Sequence, residues 1–96
     1  MVFLFGCCET TLEMGGDDLG KSFGLVVRRY RLNSNLTQEG LAEIAGLHPT
    51  YVSMVERAAR RPTLQVCAKL ALALNVELSV LIQEASALAA EGYTKR

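Results

Sequence analysis

Residues 38–57, QEGLAEIAGLHPTYVSMVER, decide how this chain folds. Leu41 and Ile44 recur at helical spacing before Gly46, and Val52 and Val55 do so after it. With Leu47 between them, these residues form one apolar seam shared by two short helices. Gly46 permits the left-handed backbone that ends a helix. His48 then stands at an N-cap position and Pro49 at the first helical position, where a missing N–H costs nothing. Two short helices joined by a tight glycine-containing turn make a helix-turn-helix. Ala42 is small where the two helices cross. Pro49, Thr50, Ser53, Met54 and Arg57 remain on the outer face of the second helix, with Tyr51 at the edge. A polar, neutral-to-basic helix face of this kind fits the major groove of DNA.

The flanking sequence supplies the rest of an all-α domain. Phe23, Val26, Val27 and Tyr30 fall at i, i+3, i+4 and i+7, which predicts an amphipathic first helix. Asp17 or Asp18 is its expected N-cap, and Asn33, Ser34 and Asn35 are its stop. Thr37 caps the second helix, Gln38 to Ala45, with Leu36 placed to staple onto Leu41 and Glu39 in the dipole-favoured first turn. The third helix runs from Pro49 to about Arg57. Pro62 and Thr63 open a fourth, with Leu64, Cys67, Leu70, Ala71 and Leu74 inward and Asn75 at its end. Ser79 is the expected cap of a fifth, with Leu81, Ile82, Ala85, Leu88 and Ala89 inward and Gly92 as its stop. Only Met1 to Cys8 has the character of a strand, and it has nothing to pair with. The expected organisation is an extension over 1–16, either disordered or a dimer arm, a five-helix domain over 17–92 and a tail over 93–96.

Composition narrows the function classes. At 96 residues, the chain is one small domain that buries only about two-thirds of its unfolded surface, leaving no room for a cofactor domain. Ser53, His48 and Glu56 do not converge as nucleophile and base, so an enzyme is not expected. Cys7, Cys8 and Cys67 lack metal-ligand spacing, and His48 has no second histidine to share an ion, so neither a metal nor a cofactor is expected. The apolar run at the N-terminus is too short to span a bilayer, and with no Lys or Arg before Lys21 it is not a secretory signal. A reduced, cytoplasmic protein fits best. The net charge of zero hides an asymmetry: residues 21–69 hold eight bases against three acids, and residues 1–20 hold four acids and no base. A basic block between acidic flanks suits a polyanion.

The run LTQEGLAEIAGLHPTYVSMVERAARRPTLQVCAKLALALNV, residues 36–76, resembles the Xre/Cro repressor family, with its L-(S/T)-Q-x-x-L-A pattern, its E-x-G turn and its P-(S/T)-L helix start. It is also similar to the small controller proteins of restriction–modification systems. The resemblance implies a lambda-repressor-like five-helix fold and assigns roles. Gln38 anchors a phosphate. Thr50 meets a base edge and Tyr51 the backbone or groove wall, with His48, Ser53 and Met54 close by. Arg57, Arg60 and Arg61 contact phosphate or enter the minor groove. Arg31 and Glu56 match an internal salt bridge of the family. Three residues depart from the pattern. Pro49 replaces a base-reading side chain, Ala58 replaces a turn glycine, and Gly40 lies inside the second helix, where it costs about 1 kcal/mol of propensity.

The function expected from these features is a sequence-specific regulator that binds double-stranded DNA at a palindromic operator. One helix-turn-helix reads only a few base pairs, so a homodimer is expected. The fifth helix carries more apolar residues than one packing face needs, which places the dimer interface at Leu78, Leu81, Ile82, Ala85 and Leu88. An antitoxin-like protein-interaction module that also binds DNA is the alternative, favoured by the apolar arm Met1 to Cys8.

Overall fold

A computed structural model describes the backbone of residues 8–91, with side chains from residue 19 onward. It has five helices, α1 Cys8–Asn33, α2 Gln38–Ala45, α3 Pro49–Glu56, α4 Leu64–Ala73 and α5 Leu78–Ala90, and no strand among the described residues. The chain is all-α, as its periodicity predicts. The extended arm, the Gly92 stop and the tail lie outside the described residues, save for Cys8 at the start of α1.

Three of the five helix starts follow the sequence cues closely. Thr37 caps α2 by accepting the Gly40 N–H at 2.9 Å, and Thr63 caps α4 by accepting that of Val66 at 3.2 Å. His48 caps α3, its Nδ1 accepting the Thr50 N–H at 3.1 Å, with Pro49 at the first helical position. The other two starts differ. α1 begins at Cys8 rather than at Asp17 or Asp18, because Glu9, Leu12, Glu13 and Met14 are good helix formers and no proline interrupts them. It therefore crosses residue 16, where the extension was expected to give way to the domain. The N-cap of α5 is Glu77, without a side-chain cap bond. Ser79 falls in the first turn, where its hydroxyl approaches the Glu77 carboxylate at 3.4 Å.

The core draws on every helix. Phe23, Val26 and Val27 from α1 meet Leu41 and Ala42 from α2, Val52 and Val55 from α3, Cys67, Leu70 and Ala71 from α4, and Leu81 and Ala85 from α5. Full burial of a Leu or Val side chain stabilises by about 1.5–3 kcal/mol. Three residues expected inside are exposed, Leu64 at 73%, Ile44 at 59% and Ile82 at 37%. The buried arc of α2 is Leu41, Ala42 and Ala45, and Ile44 falls more than 90° around the helix from its centre. Leu64 is the first residue of α4, past the end of the packed stripe. Cys67 is buried, which pushes its thiol above the usual 9.0. Among the described residues, no single helix is long and apolar enough to cross a membrane.

Candidate nucleic-acid interface

The turn between α2 and α3 is fixed by Gly46, whose φ of 74° lies in the left-handed region. The Leu47 N–H then closes onto the Ala42 carbonyl at 2.8 Å and the Gly46 N–H onto that of Glu43 at 3.3 Å, a Schellman end that satisfies two terminal carbonyls. The three-residue link from Gly46 to His48 leaves α3 no latitude. Val52, Val55 and Glu56 face inward, Thr50 and Arg57 are exposed, and Pro49, Tyr51, Ser53 and Met54 are half-buried. The polar and long side chains of α3 thus occupy one outward face. His48 flanks it at the start of the helix. Its Nδ1 is engaged as the cap, which puts the proton of the neutral ring on Nε2, a donor available to an anion.

Behind this face lies a buried charged cluster. Arg31 of α1 donates from Nε to Glu56 Oε2 at 2.7 Å and from Nη2 to Oε1 at 3.1 Å. The side chains are 9% and 2% exposed. The arginine also donates from Nη1 to the Leu36 carbonyl at 2.9 Å, in the loop that leads into α2. Gln38, the first residue of α2, donates from Nε2 to Glu56 Oε1 at 3.0 Å. A carboxylate only accepts, so the amide nitrogen must face it. Arg31, Gln38 and Glu56 thereby tie together α1, α2 and α3. The engagement of Gln38 is not visible in the sequence, where its neighbours in the helix suggest only an exposed polar residue.

The bases beyond α3 are laid back against the helix. Arg57 Nε donates to Ser53 Oγ at 3.3 Å. The Arg60 guanidinium carbon lies 5.4 Å from the Tyr51 ring centroid. Arg61 is exposed nearby. Between them, Ala58 takes a φ of 60°, so the chain makes the left-handed turn without the glycine that the family pattern has there. Asn35 and Asn75 do the same after α1 and α4.

Two further contacts that the sequence did not signal hold the frame. Gly24 sits where α1 crosses α3: a Cβ there would lie 2.5 Å from the Val55 carbonyl oxygen and 2.8 Å from that of Glu56. A glycine within an apolar helical stretch is the available cue to such an approach. Tyr30 donates to Glu84 at 2.6 Å, and Arg29 lies 3.7 Å from the same carboxylate, joining α1 to α5. With a separation of 54 residues, that pair leaves no local trace.

The predicted interface residues on α5 divide. Leu81 and Ala85 are 0% exposed within the monomer and belong to its own core, which corrects their assignment to a dimer surface. They point inward because i and i+4 share one helix face and α1 covers it. Leu88 is half-buried against the same core. Ile82 is 37% exposed and Leu78 half-buried. Among the described residues, no group of three or more His, Cys, Asp or Glu side chains is arranged to hold a metal ion.

Comparison with known proteins places these features. The helix-turn-helix family profile matches residues 27–81. Control protein C.SmaI of Serratia marcescens is 52% identical over 56 residues, covering 58% of this chain and 67% of its own length. The crystal structure of the restriction–modification controller protein C.AhdI from Aeromonas hydrophila superposes with a TM-score of 0.64 at 42% identity, over 67% of this chain and 96% of that one. The clp gene regulator ClgR from Corynebacterium glutamicum superposes with a TM-score of 0.74 at 25% identity, over 80% of this chain and 82% of that one.

Proposed function

The chain belongs to the helix-turn-helix family of the Xre type, and from that premise we propose that it is a controller protein of the restriction–modification kind. In this reading it is a homodimer that binds a palindromic operator and regulates transcription there. The observation that carries it is the α2–α3 unit, in which Val52, Val55 and Glu56 are buried while Thr50, Ser53, Met54 and Arg57 form an outward face. That unit lies within residues 27–81, which the helix-turn-helix family profile matches, and a control protein is 52% identical to this chain over 56 residues.

The roles of the residues follow from their places. Thr50 and Ser53 meet base edges with their hydroxyls, and Met54 meets a thymine methyl. Pro49 has no donor to offer and sets the helix start. Gln38 and His48, at the first residue of α2 and the N-cap of α3, approach phosphates with their N–H groups. Arg57, Arg60 and Arg61 add backbone charge contacts, and Tyr51 lies at the groove wall. For the second protomer, the apolar surface in this reading is Ile82 with the half-buried Leu78 and Leu88 on α5, and Leu72, 82% exposed, borders the groove beside Leu78. Pairing there sets two recognition helices on one DNA face, about 34 Å apart.

Selection from random duplexes by mobility shift tests the reading. Wild type should enrich a two-fold symmetric motif, and Thr50→Ala should lose about 1–3 kcal/mol of discrimination at one base pair in each half-site without losing the fold. Selection that enriches no motif defeats the proposal.

A further inference from the structure

Arg60 stands at the exposed turn between α3 and α4, yet its guanidinium is not loose in solvent. At 5.4 Å from the Tyr51 ring centroid, it is inside the ~6 Å reach of a cation–π contact. The backbone brings the two together. Tyr51 lies in the first turn of α3. Ala58, at φ 60°, reverses the chain after that helix, and the Ala59 N–H closes the reversal onto the Met54 carbonyl at 2.8 Å. The segment that follows is turned back, so Arg60 reaches over the N-terminal half of α3. The Tyr51 ring is itself held, packed against the core along one side. An exposed arginine gives up much of its rotamer freedom when it binds, and a ring that already holds the guanidinium removes part of that loss.

We infer that Tyr51 is a positioning residue for Arg60: its ring face orients the guanidinium beside α3, and the two side chains meet the DNA backbone as one unit. The inference rests on the DNA-binding reading above and assigns the effect to the ring face rather than to the phenol hydroxyl.

Two measurements on the full chain test it. In the free protein, the δ and ε protons of Arg60 should carry ring-current shifts that Tyr51→Phe retains and Tyr51→Leu abolishes. Unshifted Arg60 protons in the folded wild type would overturn the inference whatever the protein does with DNA. Anisotropy titrations with the selected duplex then compare wild type, Tyr51→Phe, Tyr51→Leu, Arg60→Ala and the Tyr51→Leu/Arg60→Ala pair. Tyr51→Phe, which keeps the ring face, should retain the coupling to Arg60, read against a Tyr51→Phe/Arg60→Ala pair, whatever loss of the hydroxyl does to the affinity. Tyr51→Leu should weaken binding, and the double variant should bind no worse than Arg60→Ala alone, a coupling of about two- to fivefold for an exposed cation–π contact. Tyr51→Leu should also lower the log–log salt slope, by up to about the one unit that a lost phosphate contact removes. Melting curves check that the fold is intact, and Tyr51→Met replaces Tyr51→Leu if leucine lowers the midpoint. Additive losses in Tyr51→Leu and Arg60→Ala would mean that Tyr51 acts on DNA independently of Arg60 and would overturn the inference. Failure of wild type to bind any duplex would remove the DNA-binding reading and this inference together, while the ring-current result would still stand.

Discussion

Glu56 is the residue on which three helices converge. It accepts two hydrogen bonds from Arg31 and one from Gln38 while only 2% of its side chain is exposed. Glu56→Ala strands the Arg31 charge in a dry site, and removing one partner of such a pair costs about 3–5 kcal/mol. The expected outcome is a large drop in the urea midpoint that added salt does not mimic, since buried pairs are little screened. Tyr30 gives a pH-dependent counterpart. Its hydrogen bond to Glu84, then burial and the negative charge of that carboxylate, raise its pKa above 10.0. The folded protein therefore holds the phenol proton more tightly than the unfolded chain. Its contribution to stability is fully present below pH 10 and is lost as the pH rises through the raised value. The stability difference between wild type and Tyr30→Phe should hold up to about pH 10 and narrow above it, read from denaturant melts. At this scale the sequence was only partly legible. The family resemblance, which spans Phe23 to about Ile82, implied the Arg31–Glu56 pair, but the amide of Gln38 and the phenol of Tyr30 find their partners only through folding.

The helix ends were readable where a side chain does the capping and less so where the backbone alone decides. Thr37, His48 and Thr63 cap within two or three residues of themselves, so their roles are local. The α3 end is not local in that sense. Ala58 adopts φ 60°, a conformation that costs a non-glycine residue about 1–2 kcal/mol. It is kept there because the Ala58 N–H bonds the Val55 carbonyl at 3.1 Å and the Ala59 N–H that of Met54 at 2.8 Å. Ala58→Gly relieves the strain, while glycine adds freedom to the unfolded chain worth about 0.4–1 kcal/mol. The expected net gain is about 0.5–1 kcal/mol, a rise of several degrees in the melting temperature of a domain this size, readable by circular dichroism. A fall in melting temperature would show that the turn is not strained.

For the whole molecule, the proposed homodimer needs a surface on which two copies meet. With Leu81 and Ala85 committed to the monomer core, the proposed pairing surface is Ile82 with the half-buried Leu78 and Leu88. Ile82→Lys places a charge on the exposed side of α5 and leaves the packed side untouched. Sedimentation of wild type at micromolar concentration should give twice the monomer mass of 10.4 kDa, and Ile82→Lys should give the monomer with its helicity unchanged. A wild type that stays monomeric without DNA excludes this assembly.

The sequence by itself determined the helical class, the limits of α2, α3 and α4 to within a residue or two, and the α2–turn–α3 unit with its outward face. Each of these rests on contacts between residues close in the chain, namely caps, a 3.6-residue period and one glycine turn. Only the tertiary structure decided which apolar residues are core. Ile44 and Leu64 share their chemistry with Leu41 and Leu70 but are left exposed, and Leu81 and Ala85 are buried because α1 lies across them. It also decided that Gly24 is the point where α1 crosses α3, that Gln38 turns inward to Glu56, and that Arg60 lies over Tyr51. Burial and long-range pairing depend on which surfaces the fold brings opposite one another, and no local pattern specifies that.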